Sequence, residues 1–132
     1  METKQHITIL GAAESGVGAA VLAKLKGWNV FVSDKGTIAP KYKDELLREE
    51  IAFEEGFHSD ERVLGAELII KSPGIPDKAP IVVEAHKRGI PVISEIEFAA
   101  RYTNAKLIAI TGTNGKTTTT LLTYHIFKKA GL

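Results

Sequence analysis

The sequence contains no cysteine, which excludes disulfides, thiolate metal sites and a cysteine nucleophile and fits a reducing cytoplasm. It has no excess of either charge, since 17 Lys and Arg stand against 16 Asp and Glu for a formal net charge of +1. The basic residues alternate with acids and form no stripe, so neither a nucleic-acid footprint nor an acidic partner is expected. No apolar run approaches the ~20 residues of a membrane span, and the start, Met1-Glu2-Thr3-Lys4-Gln5-His6, lacks an apolar signal core. Internal repeats and low-complexity tracts are absent as well. What is present is an ordinary globular balance, 44% hydrophobic and 25% charged over 132 residues, enough for one full core. A cytoplasmic monomer without nucleic-acid or membrane partners is the expectation.

Apolar strand patterns alternate with amphipathic helical ones along the chain. Strands are predicted over 6–10, 30–33, 51–53, 66–70 and 91–93. Helices are predicted over 16–26, stopped by Gly27, over 40–50, opened by Pro40, and over 80–88, closed by Gly89. Ser59, with Asp60 and Glu61 behind it, has the composition of an N-cap. Ser94-Glu95-Ile96-Glu97 fits a capping box, in which Ser94 would accept the Glu97 amide and Glu97 would reach back to the Ser94 amide. The helix that follows runs to about residue 102. The fold class read from this alternation is α/β, a Rossmann-like open parallel sheet with helices on both faces.

A last strand is predicted over 107–110, followed by Thr111-Gly112-Thr113-Asn114-Gly115-Lys116-Thr117-Thr118 and a helical pattern. Glycines that let several backbone N–H groups face one anion, a helix N-terminus, a mobile lysine and a hydroxyl able to ligate Mg²⁺ make this a nucleotide phosphate cradle. The spacing departs from the general phosphate-loop pattern, because Ile110 stands where the first glycine belongs. Only one helix follows, so strand, loop and helix are read as the opening of a second α/β domain that is incomplete here.

The first strand ends in Gly11-Ala12-Ala13-Glu14-Ser15-Gly16-Val17-Gly18, in the position of a dinucleotide-binding fingerprint but with Ala13 in place of its second glycine. Ser15 adds a hydroxyl suited to a phosphate oxygen. Asp34, at the end of the second strand, falls where an acid would reach a nucleotide. Ser72-Pro73-Gly74-Ile75-Pro76 leaves the carboxyl end of the fourth strand, and ligands of open α/β sheets sit outside those ends. The three features predict a nucleotide diphosphate in one crevice. Each also has a structural reading, as a tight turn, a capping aspartate and a Pro-Gly turn.

With these residues in hand, the sequence resembles the Mur ligase family over its whole length. The resemblance is carried by the glycine loop ending Ser15-Gly16, Asp34, the Ser-Pro-Gly-Ile-Pro loop, Ser94-Glu95-Ile96-Glu97-Phe98 and Ile110-Thr111-Gly112-Thr113-Asn114-Gly115-Lys116-Thr117; the two middle segments resemble the D-glutamate-adding branch. The resemblance implies residues 1–95 as a UDP-substrate-binding domain and 96–132 as the start of a central ATP-binding domain, with a boundary good to about ten residues. It implies that Glu14 and Ser15 meet the substrate diphosphate, that Asp34 and Lys35 meet the uracil, and that Ser72 and Gly74 line the same crevice. ATP would be held by Gly112, Thr113, Asn114, Gly115, Lys116, Thr117 and Thr118, with Lys116 as the catalytic cation and Thr117 on Mg²⁺. The substrates implied are UDP-N-acetylmuramoyl-L-alanine and D-glutamate, joined in peptidoglycan precursor synthesis at the expense of ATP. The chain alone is expected to be the inactive N-terminal part of that ligase. A stand-alone nucleotide-binding module taking NAD or a UDP-sugar is the alternative.

Overall fold

The computed structural model describes residues 5–132; residues 1–4, the start of the expected first unit, lie outside the described residues. Five strands form one parallel sheet: β1 (His6–Leu10), β2 (Asn29–Asp34), β3 (Ala52–Glu55), β4 (Leu68–Lys71) and β5 (Val92–Ser94). Their order across the sheet is β3-β2-β1-β4-β5, and every neighbouring pair is parallel. The connections are α1 (Glu14–Leu25), α2 (Pro40–Arg48), α3 (Asp60–Leu64) and α4 (Pro80–Lys87), with α5 (Glu95–Ala100) following the last strand. The strand order reverses between β1 and β4, so two neighbouring strands send their chains to opposite faces and a crevice opens above them.

The period of two in the strands sorts their side chains into two cores. Ile7, Ile9, Val30, Val32, Leu68 and Ile70 face one way and pack with Val17, Ala20 and Ala23 of α1, Leu46 of α2 and Phe98 of α5. Leu10 and Ile69 face the other way and pack with Val63 and Leu64 of α3 and Ile81, Val82 and Ala85 of α4. Both faces are thus covered, as a parallel sheet requires. Pro40 and Pro80 open α2 and α4 at positions where a missing N–H costs nothing. Among the described residues no helix is long and apolar enough to cross a membrane.

The predicted elements up to α5 are present with shifted edges, most visibly in the fourth strand, which begins at Leu68 and leaves Ala66 in the turn after α3. Two capping expectations are met in part. Ser94 accepts the Glu97 amide at 3.1 Å, but the reciprocal bond is not made, because the Glu97 carboxylate takes Arg101 one turn on at 3.2 Å. Ser59 occupies the N-cap of α3 yet makes no side-chain cap bond, since its hydroxyl donates to Glu54 instead.

The strand predicted over 107–110 is not formed, and Leu107 and Ile108 are exposed. Apolar β-branched composition favours an extended chain, but a strand exists only through its ladder, and among the described residues no neighbour pairs with this segment. The helix after the loop is formed as α6 (Lys116–Lys129) and buries none of its residues; Leu121, Leu122, Tyr124 and Ile126 are all exposed.

The α5 helix is tied to the first core by aromatic contacts. Phe98 is fully buried and meets the rings of Trp28 and Tyr102 edge-on, at centroid distances of 6.5 and 5.1 Å. Trp28 Nε1 donates to the Tyr102 hydroxyl at 3.0 Å. Truncating a buried aromatic leaves a cavity that its neighbours fill only in part, so Phe98→Ala is expected to destabilise the chain by about 3–5 kcal/mol in urea unfolding. A loss under 1 kcal/mol would show that α5 is dispensable to the core.

Candidate functional site

Every loop that leaves a carboxyl end of β1 to β4 reaches one cleft of about 720 Å³, lined by Gly11, Asp34, Lys35, Gly56, Phe57, His58, Asp60, the loop from Gly74 and the first turn of α4. Phe57, Ile75, Pro76 and Ile81 give it an apolar wall, and Lys35 and Lys78 face it beside Asp34 and Asp60. An apolar surface with a few charged groups at a sheet's reversal point suits a nucleotide, whose ring is apolar on its faces and whose phosphates are anionic.

At the glycine loop the backbone beside this cleft is packed without room for side chains. Gly11 adopts φ +97°, and a Cβ there would stand 2.6 Å from Ser72 Oγ. A Cβ on Gly16 would lie 2.0 Å from the Gly11 carbonyl oxygen, so α1 starts directly against the end of β1. The Asp34 carboxylate holds this turn from the side, one oxygen accepting the Ala12 amide and the other the Gly36 amide, each at 2.7 Å. Asp34 is thereby both a wall of the cleft and the clamp on the glycine loop.

The predicted substrate-binding residues divide into three groups. Asp34, Lys35 and Gly74 line the cleft. Ser15 and Ser72 lie together beside it, and their hydroxyls donate to the same carboxylate oxygen, Glu95 Oε1, at 3.1 and 2.6 Å. Glu14 opens α1 on the exposed surface and does not line the cleft. The other predicted set, Gly112, Thr113, Asn114, Gly115, Lys116, Thr117 and Thr118, is exposed throughout and lies in the loop before α6 and its first turn.

That loop fits an anion. Gly115 caps α6 with φ +77° and supplies no side-chain bond to its first amides, which are left open to a phosphate. A divalent ion is served less fully. Among the described residues no group of three or more His, Cys, Asp or Glu is placed to hold a metal, so the Thr117 hydroxyl would contribute one ligand of several.

Four residues of the site carried no role in the sequence reading. Glu95 is buried and joins the glycine loop to the Ser72 loop, although its motif was recognised. Lys71 Nζ donates to the Ile75 carbonyl at 2.7 Å and pairs with Asp77 at 3.2 Å, which shapes the Ser72–Pro76 turn. Glu54 and His58 flank Ser33 at the end of β2. The signal available for His58 was Gly56, a glycine at φ +84° directly after β3, at the carboxyl end where ligand loops collect.

Burial would raise the Glu54 carboxyl, but bonds from the Ser33 hydroxyl and from the amide and hydroxyl of Ser59, with the charge of Arg62, outweigh it and hold the pKa below the usual carboxylate value. Burial lowers the His58 pKa, against the pull of the Glu54, Asp34 and Asp60 carboxylates. The Glu54 shift stabilises the native state above about pH 5, and the contribution disappears as pH falls through the depressed native value. Glu54→Gln is expected to cost about 1–3 kcal/mol at neutral pH, because one amide or hydroxyl donor loses its acceptor. In urea unfolding its deficit should shrink as the medium is acidified below the ordinary carboxylate range. A deficit independent of pH would show that Glu54 does not carry its charge in the folded chain.

With this geometry in view, comparison with known proteins gives one answer. The family model of the Mur ligase MurD-like N-terminal domain matches residues 5–94. The chain belongs to that family. It is 62% identical over 128 residues to the UDP-N-acetylmuramoylalanine–D-glutamate ligase of Bacteroides thetaiotaomicron, covering 97% of this chain and 29% of the relative. The ligase of the same name from Porphyromonas gingivalis is 60% identical over 129 residues, covering 98% and 29%. The chain therefore spans about 29% of the length of these curated relatives. Among solved structures, a murein peptide ligase from Psychrobacter arcticus superposes with a TM-score of 0.70 at 27% identity, over 96% of this chain and 27% of that one. The UDP-N-acetylmuramate–alanine ligase of Thermotoga maritima, at 22% identity, shares the fold with a TM-score of 0.65 over 96% of this chain and 29% of its own.

Proposed function

We propose that this chain is the substrate-binding portion of an ATP-dependent ligase that adds D-glutamate to UDP-N-acetylmuramoyl-L-alanine in peptidoglycan precursor synthesis. The observation that carries the reading is the cleft at the reversal of the sheet, where Asp34, Lys35 and Gly74 meet an apolar wall, in a chain whose relatives bear that ligase's name.

In this reading the uracil lies by Asp34 and Lys35, and the diphosphate runs toward the glycine loop. The loop's crowded backbone brings the first amides of α1 close to the ligand, with Ser15, Ser72 and Gly74 around them and Glu14 at the outer edge. Residues 1–95 form the substrate unit and 96–132 begin the ATP unit. The burial of Phe98 and its contact with Tyr102 support a changeover after α5.

Gly112 to Thr118 hold the phosphates of ATP: the amides at the head of α6 donate to the anion, Lys116 neutralises charge as it develops and Thr117 offers its hydroxyl to Mg²⁺. ATP with Mg²⁺ supplies the phosphoryl group that activates the alanyl carboxylate, and the amine of D-glutamate then displaces phosphate to form the amide. The exposed apolar side chains of α6 are read as the face that the remainder of the ATP unit covers.

Two measurements test the proposal. Calorimetric titration of the 132-residue chain with UDP and with NAD is expected to favour UDP; NAD binding tenfold tighter than UDP would support a dinucleotide module instead. In the longer protein, phosphate release is expected to require both UDP-N-acetylmuramoyl-L-alanine and D-glutamate and to vanish in Lys116→Ala. Turnover indifferent to loss of Lys116 would sink the assignment of the phosphate loop.

Asp34→Asn keeps a side-chain oxygen for one amide of the loop and removes the charge. UDP affinity is expected to fall by about 1.5–3 kcal/mol, the worth of a hydrogen bond to a charged group. Because Asp34 also clamps Ala12 and Gly36, a drop in thermal stability should accompany it. Undiminished affinity would make Asp34 a clamp alone.

A further inference from the structure

The wall of the cleft contains a hydrogen-bonded chain that fixes the protonation of a histidine. Ser33 Oγ lies 2.6 Å from Glu54 Oε1 and 2.7 Å from His58 Nδ1. Glu54 is buried and also accepts the amide and the hydroxyl of Ser59. Held ionised, it can only accept, so the single proton of Ser33 is committed to it. Ser33 must then accept from His58, and the proton of the neutral ring sits on Nδ1. Nε2 is left bare, an acceptor.

Nε2 has no partner among the described residues, and no buried side-chain nitrogen or oxygen there lacks one, so this atom is open to solvent. His58 lines the cleft beside Phe57, Asp34 and Lys35. Asp34 has each of its oxygens engaged by a backbone amide. Of the two, His58 presents the acceptor that no backbone group occupies.

We propose that His58 is a base-reading residue of the cleft, its Nε2 accepting the ring N–H of a pyrimidine-dione such as uracil, with Ser33 and Glu54 as positioning residues that set its tautomer. The proposal rests on the nucleotide reading of the cleft given above. Uracil carries N3–H between two carbonyls, whereas cytosine has a bare N3 that would meet Nε2 lone pair against lone pair. Selection of this kind penalises the wrong ring by leaving polar groups unpaired as well as rewarding the right one. The charged groups around the ring are Glu54, Asp34, Asp60, Lys35 and Lys78. Burial lowers the imidazole's pKa below its ordinary value, which favours the neutral ring at neutral pH, and the acceptor is lost when acid protonates it.

The test is calorimetric titration of the 132-residue chain and its variants with UDP, CDP and N3-methyl-UDP, with thermal melting to verify each fold. The parent is expected to bind UDP about tenfold tighter than either analogue, the scale of one hydrogen bond. His58→Phe should lose that preference by weakening UDP and relieving the penalty on CDP. Ser33→Ala should keep the fold but blur the preference and move the pH at which it disappears. In ¹⁵N spectra of the parent, His58 should show a protonated Nδ1 and a bare Nε2, and Ser33→Ala should mix the two tautomers. An unchanged UDP to CDP ratio in folded His58→Phe, or N3-methyl-UDP binding as well as UDP, would overturn the role of His58 while leaving the nucleotide reading intact. Failure of the parent to bind UDP at all would remove both together.

Discussion

At the carboxyl end of β1 the backbone turns inside a space that admits no side chain, and the surroundings of the cleft are arranged about that constraint. Gly16 lies against the Gly11 carbonyl and Gly11 against Ser72, so β1, α1 and the loop after β4 meet at a single point. A contact this close holds only if the partners are fixed from several directions. Asp34 fixes the loop from the β2 side through two backbone amides. Glu95 fixes it from the α5 side by accepting both Ser15 and Ser72. Lys71 holds the far side of the Ser72 loop through the Ile75 carbonyl and Asp77.

This arrangement uses charge for two purposes at once. The carboxylates of Asp34, Glu95 and Glu54 each accept from two or three donors, so each is satisfied where it stands and needs no counter-ion. Lys35 and Lys78 are exposed at the cleft and left for whatever enters it. With three carboxylates satisfied by the protein, two lysines stand beside the exposed carboxylate of Asp60 at the cleft, a local surplus of available cations that needs no excess of positive charge in the composition. The balance of 17 basic to 16 acidic residues conceals this entirely.

Most of the architecture was legible in the sequence because it follows from short-range rules. Strand period, proline at helix starts and glycine at helix ends gave all five sheet strands and three of the helices between them, with edges displaced by a few residues, while α3 was marked only by its N-cap residue Ser59. The glycine loop, Asp34 and Gly74 were likewise visible, since a ligand loop at a strand end has a recognisable composition. The sequence was silent where a residue's role depends on distant partners. Ser15 and Ser72 look like free hydroxyls until Glu95, far along the chain, is folded between them, and His58 acquires its tautomer only through Ser33 and Glu54 on neighbouring strands. The segment 107–110 failed for the converse reason, having the composition of a strand and no neighbour to pair with.

The packing of α5 has an optical consequence. Trp28 is the sequence's single tryptophan, and its indole is held at one edge by the Tyr102 hydroxyl and flanked by the ring of Phe98. Its emission therefore comes from one environment, the seam between the first sheet unit and the chain leaving it. The protein thus carries a built-in fluorophore where α5 meets the first core, and displacement of Phe98 or Tyr102 changes the surroundings from which it emits.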